Sequence, residues 1–224
     1  MMFQDPVGSL SPRQTVLSIL TEPFDIHNVP VEDRYREAER LCDMVKFPRN
    51  FLSRYPHELS GGQARRVGVA RSLALQPKLV LADEPTAGLD VSVQGEILNL
   101  MSELQRSNGL TYMIITHNLP VVRHISDRLA IMYLGRIVEY DDCEKIFAKP
   151  AHPHARALIE GIPRPDPDKR RDLVSIEGEV PSLTRRPSGC EFHPRCPFAQ
   201  DRCRAEEPQD RPLSDGRVIR CHFP

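Results

Sequence analysis

The chain has 224 residues, of which 40% are hydrophobic, and its formal net charge is −1 at pH 7. This length suggests one domain, or one domain with an appendage. The balanced charge argues against a general nucleic-acid-binding protein, which would usually be basic. The sequence has no apolar run of the roughly 18 residues needed to span a bilayer, and its start lacks the features of a signal peptide. We therefore expect a soluble, cytoplasmic chain that reaches a membrane through a partner.

The N-terminal third of the chain predicts a loop followed by helices. Residues 1–10 have the pattern of a strand end that runs into a loop, and Ser11–Gln14 has the pattern of a capped helix start. Apolar residues at helical spacing predict a second helix over about 32–45 and a third over 62–75.

The central residues alternate between predicted strands and helices. The apolar run 79–82 predicts a buried strand, 93–107 predicts a helix, and 111–116 predicts a second buried strand. Two further apolar segments, 129–133 and 136–140, flank a Leu-Gly pair and predict a hairpin. This alternation predicts an α/β fold with a mainly parallel sheet and a helical insert before it.

The composition changes after residue 162. Prolines are frequent in 163–189, which we interpret as an extended linker because proline breaks helices and central strands. The remaining tail, 190–224, holds four of the six cysteines.

The segment Leu59-Ser60-Gly61-Gly62-Gln63 directly precedes a predicted helix. Glycines let a backbone approach a ligand closely, a helix N-terminus offers free N–H groups, and Ser60 adds a hydroxyl. Together these features are typical of a phosphate-binding surface. For a lone Ser-Gly-Gly, a flexible turn that caps a helix is the commoner explanation.

Polar residues also follow the two predicted buried strands. Asp83 and Glu84 end the first strand, where one carboxylate can hold Mg²⁺ and the other can polarise a water molecule. His117 ends the second strand and can contact a phosphate or orient the carboxylate. A solvated acidic pair and a structural histidine are the alternatives at such positions.

The order of these motifs resembles that of ABC-transporter ATPases. The matches are Gln4 to the Q-loop, residues 59–63 to the signature sequence, Asp83 to the Walker B aspartate, Glu84 to the catalytic glutamate, residues 87–90 to the D-loop, and His117 to the switch histidine. The resemblance implies an ABC-type ATPase fold, with a RecA-like parallel sheet and a helical signature subdomain. It also implies ATP and Mg²⁺ as ligands and Glu84 and His117 as catalytic residues. The implied nucleotide contacts are Gln4, Ser60, Gly61, Gly62, Gln63, Asp83 and Asp90, and the implied Mg²⁺ ligands are Asp83 and Gln4.

The resemblance divides the chain into regions. Residues 1–162 form a partial ABC ATPase domain, with a helical subdomain over about 10–76 and part of the catalytic core over about 77–162. The linker 163–189 and a cysteine-containing C-terminal extension, 190–224, follow.

The sequence departs from the family pattern in three places. Ala64-Arg65-Arg66 follows the signature where relatives often carry a second Gln, and Asn118 stands where many carry Asp. The phosphate-binding loop G-x-x-x-x-G-K-[ST], called Walker A, does not occur in these 224 residues. We therefore expect a chain truncated before the Q-loop and inactive alone as an ATP hydrolase. The alternative is a non-hydrolysing partner that lends its signature loop to an intact ATPase subunit.

Two tail features point to one branch of the family. Residues 150–158 resemble a stretch found in ATPases of oligopeptide and dipeptide importers, and the cysteine-containing tail resembles their C-terminal extension. The resemblance implies peptide transport, with nickel as an alternative cargo. It further implies a second ABC ATPase subunit, transmembrane permease subunits and, indirectly, a substrate-binding protein as partners, at the cytoplasmic side of the cell inner membrane. No nucleic-acid partner is expected.

The four tail cysteines Cys190, Cys196, Cys203 and Cys221 are candidates for a metal centre. Short segments with little hydrophobic core of their own often need a disulfide or a bound metal to be stable, and a cytoplasmic setting disfavours disulfides. Zinc sites usually contain close cysteine pairs, which are missing here, so this spacing and the tails of some relatives favour a 4Fe-4S cluster. Ordinary thiols and disulfides are the alternatives, and His193 and His222 are possible substitute ligands. Cys42 is expected in a helix core, and Cys143 is assigned no role.

Overall fold

The computed structural model describes residues 1–163, 176 and 178–224. The chain forms two compact units, Met1–His117 and Asn118–Pro224, and each is described by itself. Within the described residues, no helix has the length and apolar character needed to cross a bilayer.

Three packed helices form the first part of unit 1. They are α1 (Val16–Ile26), α2 (Arg34–Met44) and α3 (Gly61–Leu73), and each contributes an apolar stripe to a shared core. The predicted helix start at Ser11–Gln14 was wrong, because Thr15 caps α1 by accepting a hydrogen bond from the Ser18 N–H. The second and third predicted helices are confirmed, and each begins within two residues of its expected start.

A two-stranded parallel sheet forms the second part of unit 1. Strand β1 (Leu79–Asp83) pairs in register with β2 (Thr111–Ile115), and helix α4 (Val91–Asn108) connects them. Gly109 adopts the left-handed conformation that ends α4, with φ of 63°. Met2 forms an isolated parallel bridge with Ala82, which places the N-terminal residues along the free edge of β1. The α/β fold with a parallel sheet is therefore confirmed.

Unit 2 is built on an antiparallel sheet. Strands β3 (Arg128–Tyr133) and β4 (Arg136–Asp142) form the predicted hairpin. Leu134 and Gly135 both have positive φ at its turn, as right-twisted two-residue hairpins require. Two short strands from the tail, β5 (Arg211–Pro212) and β6 (Val218–Ile219), extend this sheet in the order β3-β4-β6-β5. The sequence did not predict this extension.

Among the described residues of unit 2, four short helices accompany the sheet. They are α5 (Leu119–Ile125), α6 (Cys143–Ala148), α7 (Pro153–Glu160) and α8 (Asp201–Ala205). Apolar residues of α5, α6, α7 and the hairpin form one core, which also contains Phe192 from the tail.

The predicted linker is described in part. Residues 164–175 and 177 lie outside the described residues. Ile176 packs against the core of unit 2, and residues 178–189 form turns and bends without a helix or strand. The three-part division of the chain inferred from composition stays a prediction.

A buried carboxylate holds the tail against β4. Glu139 is fully buried and accepts hydrogen bonds from the backbone N–H groups of Ala151, at 3.0 Å, and His152, at 2.8 Å. The guanidinium of Arg217, next to β6, lies 3.3 Å from the same carboxylate and also donates to the Lys149 carbonyl. One side chain thus joins a central strand, the start of α7 and the C-terminal hairpin.

Candidate functional site

Strands β1 and β2 end side by side, and polar residues follow both. Asp83 pairs with Ile115 in the register, so Glu84 and Thr116 come next at the same edge of the sheet. The Glu84 N–H donates to the Ile115 carbonyl at 2.8 Å, which extends the pairing by one bond. Glu84 has φ of 44°, which is uncommon for a residue other than glycine. This backbone conformation costs about 1–3 kcal/mol. This turn directs the Glu84 carboxylate towards β2.

The end of β2 supplies three hydrogen-bonding groups to the Glu84 carboxylate. The Thr116 hydroxyl donates to Oε2 at 2.8 Å, and the His117 backbone N–H donates to Oε1 at 3.0 Å. The His117 ring nitrogen Nδ1 lies 2.5 Å from the same Oε1. The Glu84 side chain is 14% exposed, whereas that of His117 is 86% exposed. The carboxylate is therefore fixed in orientation, while most of the imidazole faces solvent.

The electrostatics of Glu84 favour its charged form. Burial alone would raise the pKa of Glu84, but the hydrogen bonds from Thr116 and His117 outweigh burial and lower the pKa below its usual value. Glu84 is thus ionised at neutral pH. A carboxylate of this kind is suited to orienting and polarising a water molecule rather than to storing a proton.

The predicted magnesium ligands lie near this edge. Asp83 ends β1, and in the described part of the chain its carboxylate has no hydrogen bond or ion pair. The Asp83 N–H donates to the Met2 carbonyl at 3.0 Å, so the loop that carries Gln4 starts beside Asp83. Gln4 is exposed at the surface of that loop. A carboxylate and an amide oxygen suit Mg²⁺, so the donor chemistry fits the ion.

The signature residues begin helix α3 through a capping box. The Ser60 hydroxyl accepts from the Gln63 N–H at 3.3 Å, and the Gln63 side chain accepts from the Ser60 N–H at 3.0 Å. Gly62 also has a packing role, because a Cβ there would lie 2.9 Å from a methyl carbon of Val93. Ser60 and Gly61 are exposed at the helix start. The phosphate contacts predicted for Ser60, Gly61, Gly62 and Gln63 stay a prediction.

Asp90 has a structural role at the start of α4. Its side chain accepts a hydrogen bond from the Val93 N–H at 2.9 Å, as an N-cap residue does. Its predicted contact across a nucleotide-binding interface stays a prediction.

Two residues of this region were missed in the sequence. Thr116 was treated as the end of a strand, although a hydroxyl next to His117 is a usable signal. Arg65 lies inside α3 and is 2% exposed, and it contacts the loops of Gln4 and Ala87. An arginine in a helix would ordinarily be expected at the surface, so the sequence held no signal for its burial.

The four tail cysteines line one cavity in unit 2, together with His152, His193 and His222. All four are free thiols. The Cys190 N–H donates to the Cys203 carbonyl at 2.8 Å, and Gly189, with φ of 65°, permits this close approach. Burial raises the pKa of Cys190, Cys196 and Cys221, so these thiols are protonated at neutral pH.

The metal centre predicted at Cys190, Cys196, Cys203 and Cys221 is not preformed. Across residues 1–163, 176 and 178–224, no group of three or more His, Cys, Asp or Glu side chains is arranged to hold a metal ion. The thiols of Cys190, Cys196 and Cys221 carry their protons at neutral pH, whereas metal ligation requires thiolates, so metal binding would have to release these protons.

Profiles of two protein families match the chain. Residues 1–87 match the family described as ABC transporter, and residues 138–203 match the family described as oligopeptide/dipeptide transporter, C-terminal region. Two solved structures are also similar. A dimeric ATP-binding cassette bound to ADP and Pi has a TM-score of 0.56 and 29% identity, covering 63% of this chain and 61% of that chain. CbiO1 from Clostridium perfringens has a TM-score of 0.58 and 29% identity, covering 66% of this chain and 58% of that chain.

Curated relatives match over nearly the whole chain. A probable peptide ABC transporter ATP-binding protein from Sinorhizobium fredii is 51% identical, over 99% of this chain and 63% of the relative. Two Bacillus subtilis proteins, the putative oligopeptide transport ATP-binding protein YkfD and the oligopeptide transport ATP-binding protein AppF, are each 44% identical over 100% of this chain. The chain spans 69% of the length of each of these two. On this identity and coverage, the chain belongs to the family of ATP-binding subunits of oligopeptide ABC importers.

Proposed function

We propose that this chain is an ATP-binding subunit that couples ATP hydrolysis to the uptake of peptides. The observation that carries the proposal is the Glu84 carboxylate, which Thr116 and His117 hold in one orientation at the end of the strand that Asp83 closes. An ionised, oriented carboxylate that directly follows a second acidic residue in the chain is suited to positioning water for attack on a phosphate.

Each residue has a distinct part in the proposed reaction. Glu84 orients and polarises the attacking water, and His117 stabilises the carboxylate and can contact the γ-phosphate. Asp83 and Gln4 would hold Mg²⁺, which neutralises charge on the phosphate oxygens when bound. Ser60, Gly61, Gly62 and Gln63 lie at the start of α3, where the N–H groups of the two glycines and the polar side chains of Ser60 and Gln63 can contact the nucleotide of a second subunit. Asp90 would lie at the same interface.

The proposed partners follow from the family. They are a second ATP-binding subunit, transmembrane permease subunits and, through these, a substrate-binding protein, with this chain peripheral at the cytoplasmic side of the inner membrane. One alternative is a chain that lends its signature residues to an intact subunit without hydrolysing ATP itself. The other is nickel as the cargo.

A mixing experiment distinguishes a chain that hydrolyses ATP with its own Glu84 from one that only contributes its signature residues to the site of another subunit. The chain is combined with an intact ATP-binding subunit of the same family, and Mg²⁺-dependent ATP turnover is measured. The proposal expects Glu84→Gln in this chain to lower turnover, whereas under the lending alternative only Ser60→Arg lowers it. Ser107→Arg, an exposed position on α4, is the matched control for introducing an arginine. If neither Glu84→Gln nor Ser60→Arg lowers turnover, both proposed functions are wrong.

A transport assay separates the two cargoes. Cells that carry the complete transporter are given a labelled oligopeptide or radioactive nickel. Uptake of the peptide that disappears in Glu84→Gln supports the proposal, and Glu84-dependent nickel uptake without peptide uptake supports the alternative.

We further propose a 4Fe-4S cluster at Cys190, Cys196, Cys203 and Cys221, in preference to zinc. The shared cavity supports it, because all four free thiols line that cavity even though they are not arranged as a preformed ligand set. The test is anaerobic purification followed by iron, sulfide and zinc analysis and a visible spectrum. The proposal expects bound iron and sulfide that are lost in Cys196→Ser but kept in Cys143→Ser, a buried cysteine outside the cavity. Colourless protein without metal contradicts it.

A further inference from the structure

Arg65 is a buried cation that contacts two loops of the proposed ATP site. It lies in α3, two residues after Gln63, and it is 2% exposed. Long charged side chains are rarely buried to this extent unless they are paired. In the described residues, its guanidinium forms no ion pair with a carboxylate, and its Nε has no hydrogen-bond partner.

The guanidinium instead donates to three main-chain carbonyls in two loops. Nη1 donates to the Phe3 carbonyl at 2.7 Å, and Nη2 donates to the Gln4 carbonyl at 2.8 Å. Nη2 also lies 3.3 Å from the Ala87 carbonyl. The donors of an arginine have a fixed planar arrangement, so these bonds define where the two loops stand relative to α3.

Both loops carry proposed site residues. The first loop presents Gln4, a proposed Mg²⁺ ligand. The second begins at Glu84, and the Ala87 N–H donates to the Glu84 carbonyl at 3.0 Å. Arg65 is therefore linked to the main chain of Glu84 through one residue, Ala87, and two hydrogen bonds.

Stability alone does not account for an arginine at this position. Burial of the guanidinium lowers the pKa of Arg65, and the charge of Asp5 opposes this effect only in part. A buried charge without an ion-pair partner carries a desolvation cost that an apolar side chain of similar length would avoid. Residues that break a packing rule in this way are expected at functional sites.

We propose that Arg65 is a positioning residue that fixes the Gln4 loop and the Glu84 turn relative to the signature helix α3. This inference rests on the proposed ATPase function. Arg65 thereby couples the position of the start of α3 to the positions of Gln4 and Glu84. A nucleotide that binds against Ser60 would then change the position of the Glu84 turn.

The test uses two variants. Arg65→Met keeps a long apolar side chain without the charge, and Arg65→Lys keeps the charge but lacks the planar guanidinium with its several N–H donors. Arg66→Met is the matched control, because Arg66 contacts Val45 and Glu96 instead of the two loops. Hydrogen exchange of the intact 224-residue chain is measured for residues 3–10 and 84–90. We expect exchange to be about tenfold faster in both loops for Arg65→Met and Arg65→Lys, with no change in these loops for Arg66→Met.

The kinetic readout is ATP turnover with the intact partner subunit. Arg65→Met is expected to lower kcat about tenfold while the KM for ATP changes less than twofold, since the loops align the reacting groups. Unchanged loop exchange in Arg65→Met, or full recovery in Arg65→Lys, overturns the inference. Failure of Glu84→Gln to lower turnover overturns the proposed function instead, and the exchange data still decide the role of Arg65.

Discussion

Glu84 Oε1 and His117 Nδ1 lie 2.5 Å apart, although 33 positions separate the two residues in the chain. They meet because each follows one of two parallel strands, and the positive φ of Glu84 turns its side chain towards β2. His117 and Thr116 together outweigh the effect of burial on the pKa of Glu84.

The first prediction concerns this pKa. His117→Ala and Thr116→Val should each raise the pKa of Glu84, because each removes a group that stabilises the carboxylate. Carbon-13 NMR of the side-chain carboxyl group measures this directly. Since the pKa is lower in the folded than in the unfolded chain, ionised Glu84 stabilises the fold above the unfolded value of 4.5, and this contribution is lost as the pH falls through the folded pKa. An unchanged titration in both variants contradicts the network.

The second prediction concerns the buried carboxylate Glu139. Arg217→Met should lower the free energy of unfolding by about 3–5 kcal/mol, because it leaves a buried charge without its cationic partner. Glu144→Gln is the control, since it removes an exposed pair with Arg123 and should cost about 0–1 kcal/mol. Denaturant unfolding of both variants provides the comparison. Equal effects would show that the backbone N–H groups suffice for Glu139.

The sequence predicted those parts of the site that depend on strand order. Asp83, Glu84 and His117 follow apolar runs, and the ends of neighbouring parallel strands meet at one edge of a sheet. The contribution of Thr116 was missed, because it depends on the backbone conformation of Glu84, which the sequence pattern does not specify. The burial of Arg65 was missed because it depends on loops about 60 and 20 residues away in the chain.

The antiparallel extension in unit 2 was missed for a related reason. Strands β5 and β6 have two residues each, which is too short for alternation of apolar and polar residues to be recognised. The pairing of β6 with β4 is accompanied by long-range contacts such as that between Glu139 and Arg217, and β5 in turn pairs only with β6. The hairpin β3-β4, by contrast, has two apolar strands and a Leu-Gly turn, all of which are local signals.

The third prediction concerns Gly189, which allows the first tail cysteine to approach α8. Gly189→Ala should destabilise unit 2 strongly, because its Cβ would lie 2.9 Å from the Arg204 carbonyl oxygen, in addition to the cost of positive φ. Gly216→Ala has a comparable φ of 89° with open space around it, so it should cost about 1–2 kcal/mol from conformation alone. Thermal melts of the two variants separate steric overlap from backbone strain. A Gly189→Ala variant no less stable than Gly216→Ala would disprove the close approach.

The fourth prediction concerns two buried histidines in the core of unit 2. Burial lowers the pKa of His152 to about 3, with a further effect of His154, and burial with the charge of Arg195 lowers the pKa of His154 to about 4. Both rings pack on Phe192, and His152 Nδ1 accepts a hydrogen bond from the His154 N–H at 3.1 Å, which requires an unprotonated nitrogen.

The sign of the pH effect follows from these pKa values. In the unfolded chain each histidine takes up a proton near pH 6.5, whereas in the folded chain both stay neutral until the pH is far lower. The stabilisation is thus fully present above pH 6.5 and is lost as the pH falls towards the folded values. Between pH 6.5 and pH 5, each histidine should remove about 2 kcal/mol from the free energy of unfolding. Denaturant unfolding at pH 7 and pH 5 measures this loss, and a His152→Gln/His154→Gln variant should show a correspondingly flatter dependence. A wild-type stability that does not fall between these pH values would mean that the two rings are accessible to protons in the folded chain.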